Sequence, residues 1–127
     1  MGYRSQVVLA ISKELIPFLM LATSKNKEAE ELVFKYADTF ERNYENDKSW
    51  LLTWDGIKWY EGYPDIDAIE KFIDDAESGD WVITNDDGQD VHSEELFRFV
   101  RVGEEFGDID VRGSGYWDIT PVTSIQY

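Results

Sequence analysis

The sequence of 127 residues contains no cysteine, a single histidine and three prolines. Without cysteine there can be neither a disulfide framework nor a thiolate zinc site, and the chain reads as intracellular. A lone histidine, His92, removes most routes to catalysis at neutral pH. It sits in GQDVHSEEL, a polar stretch expected to form an exposed turn. No glycine-rich phosphate loop, nucleophile elbow or His-x-x-x-His pair is present, so no cofactor or metal is expected. Long apolar runs are also missing. Val7 to Ile11 is too short to cross a bilayer, and the residues around Arg4 lack a signal-type apolar segment, so a soluble cytoplasmic protein is expected. Positive charge is scarce: 12 basic residues face 27 acidic ones, a net charge of −15. That balance disfavours direct contact with nucleic acid or anionic membranes and favours a basic partner.

What is abundant is apolar and aromatic surface, 43 % and 15 % of the residues. A chain of this size buries about two-thirds of its unfolded surface in one domain. The stretch from Ser49 to Asp65, SWLLTWDGIKWYEGYPD, concentrates three of the five tryptophans. Asp55-Gly56 carries the signature of a two-residue hairpin turn, because both central positions of a type I′ turn need positive φ. Alternation then places Trp50, Leu52, Trp54, Ile57 and Trp59 on one side, where the helices are expected to pack, and Leu51, Thr53, Lys58 and Tyr60 on the other.

Around it, Tyr3 to Ser12 reads as a buried strand. Ser12 is expected to cap a short helix carrying Leu15, Ile16, Leu19 and Met20 inward, with Pro17 near its start and a break over Ala22 to Lys27. Ser24 should cap a second helix in which Ala29, Leu32, Val33, Tyr36, Ala37 and Phe40 recur at helical spacing, ending near Asn43. Pro64 and Asp65 open a third, with Ile66, Ile69, Phe72, Ile73 and Ala76 inward and a stop at Ser78-Gly79. Asp80 to Thr84 is a strand, Asn85 to Gly88 a turn and Leu96 to Val102 a strand with Phe97 and Phe99 opposite Arg98. Asp108–Arg112 and Tyr116–Thr120 are expected to form a hairpin through residues 113–115, and Pro121 marks an edge or irregular end. The predicted class is a single α+β domain, residues 1–127, with about three helices on one face of a largely antiparallel sheet.

The acidity is concentrated. From Glu61 to Glu95, thirteen acidic residues face only Lys71, a net of −12, whereas the rest of the chain has a net of −3. Asp67, Glu70, Asp74 and Glu77 fall three and four apart, a stripe expected on the outer face of the third helix. At 1.5 Å per residue, Glu70 and Asp74 are separated by about 6 Å along the axis. That is close to the roughly 7 Å between successive phosphates of a nucleic-acid strand. Like charges so placed weaken a helix, which leaves solubility or a partner to account for them. The candidate partner-binding residues are Asp67, Glu70, Asp74, Asp75, Glu77, Asp86, Asp87 and Asp90.

Three other chemistries compete for these residues. Aligning Gly88 with the glycine of a helix-loop-helix calcium site puts Ile83 where the first ligand belongs, so that site is not expected, and loose Ca²⁺ or Mg²⁺ binding by Asp86, Asp87, Asp90 and Glu94 is the weaker alternative. A carboxylate acid–base pair needs two converging acids, and Asp55 and Asp118 each adjoin a tryptophan. Arg98, Arg101 and Arg112 could hold an anionic, nucleotide-type ligand against an exposed aromatic, although Glu104, Glu105 and Asp108 are nearer partners for them. Tyr60, Tyr63 and Trp117 fit core positions, a homodimer contact or a recognition patch.

The opening Gly2-Tyr3-Arg4-Ser5, the block Ile57-Lys58-Trp59-Tyr60-Glu61-Gly62-Tyr63-Pro64 and the block Phe99-Val100-Arg101-Val102-Gly103-Glu104-Glu105 together resemble a group of small uncharacterised proteins encoded by bacteriophages and prophages. The resemblance transfers no catalytic or binding residue. It implies a context, that of small acidic accessory proteins which inhibit host defence or nucleic-acid-handling enzymes, some by imitating DNA. The expected function is therefore non-catalytic binding of a basic host protein.

Overall fold

The computed structural model describes residues 3–78, 81–105, 107–121 and the backbone of 125–126. Its centre is strand β1 (Ser5–Ile11). Val7, Leu9 and Ile11 point into the larger apolar cluster and Val8 and Ala10 into the smaller one, all without solvent exposure. An uninterrupted apolar run is what a strand buried on both faces requires. β1 pairs antiparallel with β3 (Ser49–Ile57) on one side and β6 (Phe97–Gly103) on the other. β2 (Thr39–Tyr44) and β7 (Ile109–Arg112) complete a five-stranded sheet in the order β2-β3-β1-β6-β7. β4 (Val82–Thr84) and β5 (Asp90–His92) form a separate hairpin, and β8 (Thr120–Pro121) pairs with β9 (Ile125–Gln126).

Helices α1 (Ile16–Ser24), α2 (Lys27–Phe34) and α3 (Pro64–Glu77) cover one sheet face, so the α+β class is as expected. Leu52, Trp54 and Trp59 lie in that interface with Trp50 and Ile57 packed against them, the side assigned from alternation. Trp54 also donates its indole N–H to the Leu32 carbonyl at 3.0 Å, tying β3 to α2. The opposite face buries Leu51 and Val100 under Ile119.

The Asp55-Gly56 turn is not formed. β3 runs straight through it, and the register against β1 steps from Ser5 opposite Ile57 to Val7 opposite Trp54, so that two residues of β3 oppose Gln6 alone. Gly56 has φ of +71°, the left-handed conformation that a β-bulge demands as much as a turn does. The true hairpin joins β2 to β3 through residues 45–48, where Glu45 and Asn46 have φ of 58° and 60°. This also ends α2 early, at Phe34 instead of near Asn43. Without Thr39–Tyr44 as a strand, one edge of the aromatic β3 would lack a backbone partner. Phe40 packs instead against Phe34 and Trp50 at 5.7 and 4.9 Å.

Smaller differences share a local cause. Ser12 does not cap α1, whose N-cap position is Leu15, and the helix extends into the expected break as far as Ser24, leaving Lys25 and Asn26 between the two helices. Leu19 and Thr23, one turn apart, face inward, which rotates Met20 into solvent. Asn26, not Ser24, caps α2, accepting from the Glu28 and Ala29 amides at 3.0 and 3.2 Å. β7 pairs with β6 instead of with Tyr116–Thr120, of which only Thr120 is in a strand. Gly113, at φ of +85°, carries the chain past the start of β6, where the Gly115 amide reaches the Phe97 carbonyl at 3.1 Å. In α3 all five predicted inward residues are the buried ones, and Pro64 is its first residue. Gly79 and Asp80, the expected helix stop and strand start, lie outside the described residues. No helix among the described residues is long and apolar enough to cross a membrane.

Candidate functional site

The amphipathic pattern of α3 sends its apolar stripe into the core and turns its carboxylates toward the loop before it and toward β7. Asp67, Glu70, Asp74 and Asp75 line one groove of about 630 Å³, joined by Glu61 from the preceding loop and by Lys71. Each acid is held differently. Asp67 accepts from the Gly62 amide at 2.9 Å. In the first turn it also complements the positive end of the helix dipole. Glu70 accepts from the Trp59 indole at 2.9 Å and is paired with Arg112. Asp74, with 68 % of its side chain exposed, is 2.6 Å from the same guanidinium, and Asp75 is 3.2 Å from Lys71.

The stripe is therefore not a bare outer face. Asp74 and Glu77 sit in the last turns of α3, where the dipole disfavours negative charge. Arg112 offsets the first, and the Gly113 amide, 3.1 Å away, satisfies the second. Arg112 also contacts Asp110 at 3.0 Å and lies 4.8 Å from the Phe99 ring centroid. Burial opposes its charge, but Glu70 and Asp110 outweigh that and its pKa is raised. Its Nε is buried with no acceptor among the described residues.

Of the eight residues singled out from the sequence, the structure brings four into this groove. Glu77 lies beyond it, bonded to Gly113. Asp86, Asp87 and Asp90 belong to the β4–β5 hairpin: Asp86 pairs with Lys13, Asp90 accepts from Thr84 at 2.9 Å, and Asp87 is exposed at the turn. No group of three or more potential ligands is placed to hold a metal ion among the described residues. His92 is exposed, as expected, but it ends strand β5 opposite Val82 and does not lie in a turn.

The three arginines considered as an anion site are engaged inside the fold. Arg98 donates to the Ile119 and Gly113 carbonyls at 3.1 and 3.0 Å. Arg101 binds Asp108 through both terminal nitrogens, at 2.8 and 3.2 Å, and Tyr3 donates to the same carboxylate at 2.6 Å. These two partners pull the Asp108 pKa down to about 2.

A second acidic cavity, also about 630 Å³, was not foreseen. Glu14, Glu45, Asp47, Glu95 and Asp118 converge there with Tyr116 and Trp117. They come from four separate segments, so no local spacing announces them. Burial, then Asp118 and Asp47, raise the Glu45 pKa. Burial drives the Tyr116 hydroxyl, which donates to Ser49 at 2.6 Å, to about 12. Asp118 and Asp55 do not meet: Asp55 lines a different cavity, beside Arg4 and Tyr36. Trp117 and Tyr63 are 78 % and 48 % exposed and so are not core residues.

No family model matches this chain, and neither does any curated protein or solved structure. The site is thus characterised by its own geometry, a carboxylate-lined groove whose inner wall is fixed by an indole and a guanidinium. Such a surface can receive cationic side chains.

Proposed function

We propose that the protein is a non-catalytic binder of a basic protein surface and that the α3 groove is its contact. The observation that carries this reading is the convergence of Glu61, Asp67, Glu70, Asp74 and Asp75 on one groove with a single lysine among them. Trp59 and Arg112 hold Glu70 before any partner arrives, which lowers the ordering cost of association. Asp67 and Asp74, both exposed, are about 10 Å apart along the helix, between one and two phosphate steps of roughly 7 Å. The partner that fits is a basic, nucleic-acid-binding groove. With the resemblance to bacteriophage proteins, the reading becomes inhibition of a host defence or nucleic-acid-handling enzyme by imitation of DNA in the host cytoplasm.

Reversing Glu61, Asp74 and Asp75 to lysine tests it. These three are chosen because Glu70 and Glu77 also serve the fold. The wild-type protein, immobilised, should retain a bacterial nucleic-acid-handling protein at low salt and release it as salt rises, since exposed charges are screened over about 8 Å at physiological ionic strength. The folded triple variant should retain none. Equal retention by both would sink the reading.

A further inference from the structure

We propose that a second site, which shares Lys71 and Asp75 with the edge of the acidic groove but is otherwise lined by different residues, binds a small organic acid with an apolar ring or chain and one anionic head. Between α1 and α3 lies a cavity of about 380 Å³. Its walls are Phe18, Ala22, Phe72 and Trp81, with Leu21 at the mouth. That volume lies within the range of roughly 300–1,000 Å³ common to small-molecule sites, which are mostly apolar with a few placed polar groups. The space has a clear origin. Ala22 on α1 and Ala68 on α3 both line it, and their short side chains leave unfilled what the bulky rings enclose. One wall is preformed, because Phe18 and Trp81 stack with centroids 4.5 Å apart and Phe72 lies 5.9 Å from the same indole.

Charge decides the class of ligand. In a chain of net charge −15 this cavity is rimmed by two lysines, Lys25 and Lys71. Lys71 is the lone basic residue between Glu61 and Glu95. Lys25 makes no ion pair among the described residues, and Lys71 is only weakly tied, to Asp75 at 3.2 Å with 78 % of its side chain exposed. Asp75 is the one carboxylate at the rim. An apolar group lying against the stacked rings would bring an anionic head toward the two ammonium groups, while a cationic ligand would meet them unfavourably. The expectation of a ligand held by Arg98, Arg101 or Arg112 and an exposed aromatic is thus replaced by lysines and a half-buried tryptophan.

The probe is 8-anilinonaphthalene-1-sulfonate, with its uncharged counterpart N-phenyl-1-naphthylamine as control, each titrated into the full chain by fluorescence. The sulfonate should bind at one site per chain and be displaced by decanoate. Lys25→Ala with Lys71→Ala should weaken it about fivefold to tenfold and leave the neutral dye within twofold. Asp75→Asn should tighten it. Ala22→Trp, which fills the cavity, should abolish both, with near-ultraviolet circular dichroism checking that it is folded. Sulfonate affinity unchanged by the lysine substitutions overturns the proposal, as does self-association that covers Leu21, which would make a second copy the occupant. Failure here is distinguishable from failure of the acidic-groove reading, because Glu61 and Asp74 do not line this cavity and their reversal is read against a protein partner.

Discussion

The indole N–H of Trp59 donates to one oxygen of Glu70 at 2.9 Å while Arg112 holds the other, so a carboxylate of the acidic groove is anchored to the hydrophobic core. Trp59 is nearly buried and packs on Trp54 and Phe99 at 5.7 and 5.8 Å. Glu70 is thereby both surface and structure, whereas Asp74, one turn on, is mainly surface.

The first prediction separates those roles. Glu70→Ala leaves the Trp59 N–H and part of Arg112 without acceptors and should lower stability by about 2 kcal/mol, the cost typical of losing a charged hydrogen-bond partner. Asp74→Ala removes an exposed pair and should change it by less than about 0.5 kcal/mol. Urea unfolding followed by tryptophan fluorescence measures both, and equal costs would contradict the assignment.

Two glycines make a second contrast. Both Gly56 and Gly113 have positive φ, at 71° and 85°. A methyl group on Gly56 meets only the Arg4 side chain at 3.9 Å, so Gly56→Ala should cost about 1–2 kcal/mol from the backbone alone. On Gly113 it would collide with the Phe97 backbone carbonyl, which belongs to the sheet and cannot yield cheaply. Gly113→Ala should therefore be markedly more destabilising, with a lower urea midpoint or loss of soluble protein.

These positions also show what local pattern can carry. α3 was legible because one helical period, an initial proline and five apolar positions agree with one another. The faces of β3 were legible because alternation holds from Trp50 to Trp54 and the bulge, like a turn, returns Ile57 to the same side. An Asp-Gly pair, however, meets the same φ requirement in a turn and in a bulge. Only the pairing of β3 with β1, some 45 residues earlier, decides between them. The extended reading of α2 failed at Tyr36, which keeps helical spacing yet is 56 % exposed. The acids of the groove were visible as a stripe. Their partner Arg112 was not, since it lies 42 residues from Glu70 in a segment that offers nearer acids as partners. The α1–α3 cavity, made by small side chains facing each other across a helix contact, leaves no periodic trace at all.

Acid provides a third test. Asp108, at about 2, lies below the roughly 3.9 of an unfolded aspartate. A depressed carboxylate contributes stability that is present above the unfolded value and lost as pH falls toward the folded one. The excess stability of the wild type over Asp108→Asn should therefore be constant from pH 7 to about 5 and shrink between about 4 and 2. Comparing the two proteins removes the contribution of the other acidic groups, which titrate in both. A difference that stays flat to pH 2 would show that Arg101 and Tyr3 do not favour the charged form.

The alkaline limb reports on the second acidic cavity and runs in the opposite sense. Tyr116, raised to about 12 by burial, holds its proton more tightly in the folded state than the unfolded value near 10. Its contribution is present below pH 10 and lost as pH rises toward 12. Tyr116→Phe also leaves the Ser49 hydroxyl, itself 1 % exposed, without its donor at 2.6 Å, a loss of about 1 kcal/mol at neutral pH. The wild type should thus be the more stable protein at pH 8, and its advantage should decline above pH 10 and reverse before pH 12, because a rise of this size outweighs about 1 kcal/mol. Burial outranks the carboxylates Asp47, Glu45 and Glu14 as the cause, so high salt should leave most of the raised pKa in place. Tyrosinate absorbance at 295 nm, taken as the difference between wild type and Tyr116→Phe, measures it directly. A normal value near 10 would mean that the hydroxyl is hydrated and that the cavity floor is open to water.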